Sequence, residues 1–300
     1  MNTIPDQNIP ASKCFQITKK DGAYWAAATG EAPFYLGKDL RYGTRRGLGM
    51  PVSTYYGPRF CAQNYTGRIG HWAILLELMA ANESKGYFNV INAYDRAAFT
   101  FGCFQLAAHT PGDNLVLLFR RLLQLPDAAD YFPELSLRNG RIHRIGEQGG
   151  YTDLEASAER FMAYLNPDGK RVDDQELLQA ARLIHWSNTH AAMRDAQVEI
   201  AAEITARKVD AVYDRRYALD GKSDTLVALV CDIHHQGRAK VPVVRAALAQ
   251  AQPEEALLKI GQEKYPERIA NLRRNIEAMK QDGQLGRKRY QSATNSFVEG

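Results

Sequence analysis

The chain has 300 residues, 45% hydrophobic and 24% charged, with a formal net charge of +4. That is an ordinary globular balance, long enough for one large domain or two small ones around a real core. The mild positive charge suits an anionic polymer but serves a neutral ligand equally well, so it selects no function class. No uninterrupted apolar run approaches the roughly 18 residues of a membrane span. The first 22 residues hold no apolar stretch of the kind found in a secretory signal. The expectation is a chain made in the cytoplasm with no membrane span; if it works outside, something else carries it there.

Residues 1–68 are rich in Gly, Pro, Tyr and polar residues. They read as an irregular segment with short strands at "GAYWAAATG" and "PFYLG", packing on or preceding the core. The core itself is expected over 69–285. "GHWAILLELMAAN", from Gly70 to Asn82, is an apolar run of good helix formers and predicts a buried helix, with Gly86 as its stop signal. "YFNVINAY" and "AAFTFGCFQL" predict two strands turning near Asp95 and Arg96. Alternation in the second puts Thr100, Gly102 and Phe104 on one face. "NLVLLFRRLLQL" predicts a helix capped by Asp113 or Thr110. This first lobe covers 70–125. A loop through "LRNGRIHRIGEQGGYTD" follows, then a helical lobe over 153–282 with apolar positions at three and four. Within it "DTLVALVCDIHHQG" predicts a buried helix ending at Gly237. Residues 286–300 read as a loose tail. The predicted class is α+β: mostly helical, with one small antiparallel sheet.

The four cysteines, Cys14, Cys61, Cys103 and Cys231, form no CxxC pair, so a zinc ribbon is not expected; both disulfides and buried thiols fit. Cys231 and His235 lie four apart on a helix but have no third ligand by spacing, so no metal is expected. Cys103 with His109 or His185 is a possible thiol hydrolase, weakened by a mid-strand position among aromatics. Basic clusters are scattered, no nucleic-acid motif is present, and no glycine-rich phosphate loop accompanies a strand–helix unit. No cofactor is expected.

The chemistry concentrates between Ala80 and Asn114. Glu83 ends the apolar helix, where apolar neighbours and the negative end of the helix dipole both favour its protonated form. A general acid needs that form near neutral pH. Asp95 lies at a turn, which exposes polar side chains and keeps it ionised; turn formation is its ordinary role. Two carboxyls in contrasting environments are the minimal equipment for glycoside hydrolysis. The Thr100 hydroxyl is placed to hold an attacking water, or is simply a strand threonine. Asn92, Tyr94, Gln105 and His109 lie near enough to line the same cleft. Asp232 and Gln236, four apart on the late helix, are candidates to reach it from the other side.

Glu83 followed by "YDRAAFTFGCFQL", with Asp95, Thr100 and Gly102, resembles the lysozyme superfamily. There a helix delivers a glutamate, and a hairpin carries an aspartate and a T-x-G strand. "FTFGCFQL" is similar to the G-x-x-Q strand of lytic transglycosylases. Its continuation, with the later "LVCDIHHQGR", is similar to the chitosanase branch, which includes wall-degrading domains of type VI secretion effectors. The resemblance covers 70–125 clearly and 226–275 weakly. It implies a lysozyme-like fold and a muramidase that cuts peptidoglycan glycan strands. Glu83 would be its general acid, Asp95 the base that activates water, and Thr100 the group that positions that water. It further implies action in the periplasm or at the cell wall after delivery by a secretion system or phage lysis, and an immunity protein that blocks the cleft. A lytic transglycosylase, a chitosanase and a non-catalytic glycan-binding module remain the alternatives.

Overall fold

The computed structural model of the chain describes residues 12–146 and 148–300. The first eleven residues of the expected N-terminal segment, and Glu147, lie outside the described residues. The strands in chain order are β1 (Phe15–Lys20), β2 (Ala23–Ala28), β3 (Phe34–Tyr42), β4 (Arg45–Gly49), β5 (Ile91–Asn92), β6 (Thr100–Phe101), β7 (Leu106–Ala107), β8 (Leu135–Arg138), β9 (Arg141–Ile145), β10 (Tyr151–Asp153), β11 (Lys288–Gln291) and β12 (Ser296–Glu299). The helices are α1 (Thr66–Ile69), α2 (Trp72–Glu83), α3 (Leu115–Leu122), α4 (Ala128–Tyr131), α5 (Ala158–Leu165), α6 (Asp174–Thr189), α7 (Ala191–Lys208), α8 (Arg215–Tyr217), α9 (Asp224–His235), α10 (Val241–Leu248), α11 (Pro253–Lys259) and α12 (Pro266–Gln281). The class is α+β, with antiparallel sheets.

The chain divides into two compact units, and each is discontinuous in sequence. Among the described residues the first comprises 12–58 and 88–197, the second 59–87 and 198–300. The boundaries therefore fall at 58, 87 and 197 rather than at 68 and 285. The reason is that residues 15–49 do not precede the core. They form four strands of one seven-stranded antiparallel sheet, in the order β1 to β7.

In the first unit, β1 to β4 make a meander whose inner face carries Ala26, Ala28, Leu36 and Leu48, all buried. It joins β5 through a single residue pair, Gly49 with Asn92. The sheet is thus larger than the small hairpin expected from 87–106 alone. The segment expected as a loop after α4 is a second sheet, β8 to β10. Its first hairpin turns at Asn139–Gly140, both left-handed (φ 51° and 72°), which suits a two-residue Asn-Gly turn. Around these sheets Phe119 meets Phe132 and Phe161 edge-on, and Tyr131 stacks on Trp186 at 4.6 Å.

In the second unit α2 packs against α9 and α12. Leu75, Leu76 and Leu78 of α2 are fully buried, as are Val227 to Val230 of α9 and Leu272 of α12. Each such side chain contributes roughly 1.5–3 kcal/mol relative to exposure. The expected loose tail is instead the hairpin β11–β12, with Tyr290 buried. Its aromatics explain the order: Trp72 lies 5.0 Å from the Phe297 ring, and its indole Nε1 donates to the Asn295 carbonyl at 3.2 Å. Asp224, fully buried at the start of α9, accepts from His71 at 2.8 Å and from the Gly286 backbone N–H at 2.8 Å.

Candidate functional site

Helix α2 is buried along most of its length from Trp72 to Ala80; its two acids are the half-buried Glu77, which accepts from the Ala62 N–H at 3.3 Å, and Glu83 in the last turn. The chain leaves it through Lys85 and Gly86, both left-handed, and the Gly86 N–H returns to the Ala80 carbonyl at 3.1 Å. That exit fixes Glu83, the helix's final residue, whose side chain is 18% exposed.

Glu83 does not sit among apolar groups alone. Its Oε1 accepts from Arg268 Nη2 at 2.7 Å, and the same Nη2 donates to Asp232 Oδ1 at 2.8 Å. Arg268 Nη1 also donates to the Asn82 carbonyl at 3.1 Å, so one guanidinium grips both the backbone and the carboxylate at the end of α2. On the far side of Asp232, Arg238 Nη2 donates to Oδ2, while its Nη1 donates to the Ile260 carbonyl at 2.9 Å. Asp232 is 1% exposed, Arg238 fully buried and Arg268 13% exposed. His235, at the end of α9, brings its Nε2 to 3.9 Å from the same Oε1 of Glu83.

Burial pushes the Arg238 guanidinium below its ordinary value, against the pull of Asp232. Arg268 is held above its ordinary value: burial works against the charge, but Glu83 and Asp232 together outweigh it. Both arginines leave a buried Nε with no hydrogen-bond partner among the described residues. Each such orphan costs about 1–3 kcal/mol. A row of alternating buried charges with two orphaned donors is a poor way to stabilise a fold, and a good way to hold one carboxyl in one position.

The hairpin residues form a separate polar cluster in the first unit. Asp95 Oδ1 accepts from the Ala97 N–H at 2.8 Å and Oδ2 from Asn92 Nδ2 at 3.2 Å. Both oxygens of Asp95 therefore take part in the turn. Thr100 Oγ1 lies 3.1 Å from both the Asn92 carbonyl and Gln105 Oε1, with one proton to share between them. The Gln105 amide donates to the carbonyls of Val90 and Gly102 at 3.2 and 2.9 Å. The expected alternation past Phe101 fails, because the chain turns there. Gly102 (φ 87°) and Gln105 (φ 46°) are both left-handed, and β6 and β7 form a tight hairpin. Gly102 is needed twice over: for that dihedral, and because a Cβ would collide with Gln197, whose Oε1 accepts from the Cys103 N–H at 3.2 Å.

Tyr94 is half-buried with its ring against Gly49, and burial, then the neighbouring Asp95, raise its hydroxyl. His109 is exposed beyond β7. Gln236 closes the end of α9, and its Oε1 is buried without a partner among the described residues. Neither Asp113 nor Thr110 caps α3: Asn114 occupies that position, its backbone N–H donating to Asp113 Oδ1 and its side-chain amide to Thr110 Oγ1. None of the four cysteines is joined in a disulfide. Cys103 is wholly buried and its thiol is pushed well up by burial, which makes it an inert packing group. Among the described residues no group of three or more His, Cys, Asp or Glu converges as a metal site, and no helix is long and apolar enough to cross a membrane.

The structure thus joins Glu83 with Asp232 and, separately, Asn92 with Asp95 and Thr100 with Gln105. Sequence reading missed Arg238, Arg268 and the approach of His235. Arg238 directly follows the Gly237 stop in "HHQGR", a faint signal of a side chain folded back on its own helix. Arg268 is one of several arginines in "YPERIANLRRN", and nothing in its spacing sets it apart. No protein-family model matches the chain, and neither a curated protein nor a solved structure matches it.

Proposed function

We propose that the protein is a glycoside hydrolase of lysozyme-like fold that cleaves peptidoglycan glycan strands as a muramidase, with Glu83 as general acid. One observation carries this reading. A carboxyl at the end of a buried helix, still reachable from solvent, is held by Arg268, which is itself anchored by a buried Asp232–Arg238 pair at a cost to stability. Active sites are where such costs are tolerated. In this reading the acid protonates the leaving oxygen, Asp95 activates a water, and Thr100 orients it. A base working through water leaves the anomeric carbon inverted. The setting would be the periplasm or cell wall, with a dedicated immunity protein as partner. The resemblance set out above supports both.

A second reading is a lytic transglycosylase, favoured by Asp95: both of its oxygens are engaged in the turn. The test is a digest of purified peptidoglycan by wild type, Glu83→Gln and Asp95→Asn, read by mass spectrometry. The muramidase releases reducing muropeptides, and both variants lose at least about a hundredfold in rate. Anhydro-products with Asp95→Asn still active would select the transglycosylase. Turnover of chitosan but not of wall would select a chitosanase. Equal release by wild type and Glu83→Gln would end the reading of Glu83 as the acid.

A further inference from the structure

The charges of the Glu83 network cancel. Glu83 and Asp232 supply two negative charges, and Arg238 and Arg268 two positive ones. For Glu83 to act as an acid, the cluster must carry one proton beyond this balance. The group placed to share it is His235. Its Nε2 lies 3.9 Å from Glu83 Oε1, a gap that a small rotation of the imidazole or one bridging water closes. The His235 side chain is 27% exposed, so it meets solvent more freely than Glu83 or Arg268. It ends α9, where the helix dipole favours a cation. The charged and titratable groups of the network it joins are Glu83 from α2, Arg268 from α12, Arg238 just past α9, and Asp232 on its own helix, where His234 is its neighbour. His234 is turned to a different task, with its Nε2 taken by the Tyr217 hydroxyl at 2.6 Å and its ring stacked on Tyr213.

We propose that Glu83 and His235 form a proton-sharing pair, in which His235 is a positioning residue that reloads the acid between turnovers. This inference rests on Glu83 being the general acid. In the bond-breaking step the Glu83 O–H proton passes to the glycosidic oxygen, which keeps the electron pair of the broken C–O bond, and Glu83 is left as a carboxylate. The imidazolium then gives its Nε2 proton to Glu83 Oε1 and keeps the N–H electron pair as a lone pair. The neutral imidazole takes a proton from solvent, replacing the one released there by the attacking water. The two loaded states, protonated Glu83 with neutral His235 and ionised Glu83 with imidazolium, carry the same total charge. The transfer therefore leaves the combined charge of the network and His235 unchanged, and the proton belongs to the pair.

The experiment measures release from purified peptidoglycan across pH 5–9 by the full-length wild type, His235→Gln, His235→Ala and Glu83→Gln, with and without imidazole in the buffer. Thermal unfolding of each variant checks that it is folded. The expected result is a tenfold or greater fall in kcat for both His235 variants with KM little changed. Their alkaline limb should move at least one pH unit lower, and imidazole should restore His235→Ala but not Glu83→Gln. A wild-type rate and pH profile in His235→Gln, with Glu83→Gln inactive, would overturn the pair while leaving the acid in place. So would a slow His235→Ala that ignores imidazole and keeps the wild-type profile, since that is a structural loss only. Full activity in Glu83→Gln would remove the acid itself, and the pair with it.

Discussion

Two carboxyls, one in each unit, are buried in opposite ways. Glu83 stands in a chain of alternating charges and keeps a face to solvent. Glu176, in α6, is fully buried and forms no ion pair among the described residues: Oε1 accepts from the Leu48 N–H at 2.5 Å, and Oε2 has no partner among them. Burial, more than the nearby Asp173, pushes Glu176 up to about 8, so it is neutral at pH 7. Glu176 is thus buried by keeping its proton on. Glu83 and Asp232 are held instead between guanidinium groups. Only the second arrangement leaves a charged group in a defined position near accessible space, which is what chemistry requires.

The comparison can be broken most forcefully at Asp232. Asp232→Asn leaves two arginines facing one carboxylate and should lower unfolding free energy by about 3–5 kcal/mol, read by chemical denaturation. A change below 1 kcal/mol would mean that the network is not electrostatically coupled. Next comes Glu176. Its folded-state value lies above the unfolded carboxylate value of 4.5, so the native state holds the extra proton between them. Its contribution is full below pH 4.5, falls as pH rises towards 8, and is gone above it, a few kcal/mol in all. Glu176→Gln should flatten that dependence and be the more stable protein at pH 9. A wild-type curve that does not fall between pH 5 and 8 would refute the neutral burial. The smallest effect is expected at the Asp95 turn. Asp95→Ala removes its bonds to Ala97 and Asn92 and should cost about 1 kcal/mol, with Asp95→Asn nearer zero.

How legible these features were depends on whether their signal is local. The α2 helix, its end near Gly86, the turn at Asp95 and the strand at Thr100 follow from runs of adjacent residues, and they were readable. The β8–β9 hairpin was not, although "RNGR" holds an Asn-Gly turn, because Arg138, Arg141, His143 and Arg144 obscure the apolar alternation. The tail hairpin was not either, because its order comes from Trp72 and Asp224, far away in sequence. Glu83 was legible as a candidate and its surroundings were not. The apolar run predicts apolar surroundings for Glu83, whereas Arg268, 185 positions away, supplies its partner. Pairing across such a distance leaves no periodic trace in one sequence.

That separation also sets the order of events when the protein is made. Residues 59–87 of the second unit are synthesised early, but their partners begin at residue 198 and extend through Phe297, which packs on Trp72. Until those late segments emerge, α2 has none of its α9 or α12 surface to fold against, and Glu83 has neither Arg268 nor His235. Contacts closed over such long loops form slowly. The first unit's β1–β4 meander, by contrast, is complete in sequence by Gly49. The surroundings of the proposed acid are therefore complete only once α12 and Arg268 have emerged, and a ribosome stalled before α9 would carry the meander strands but no carboxyl network.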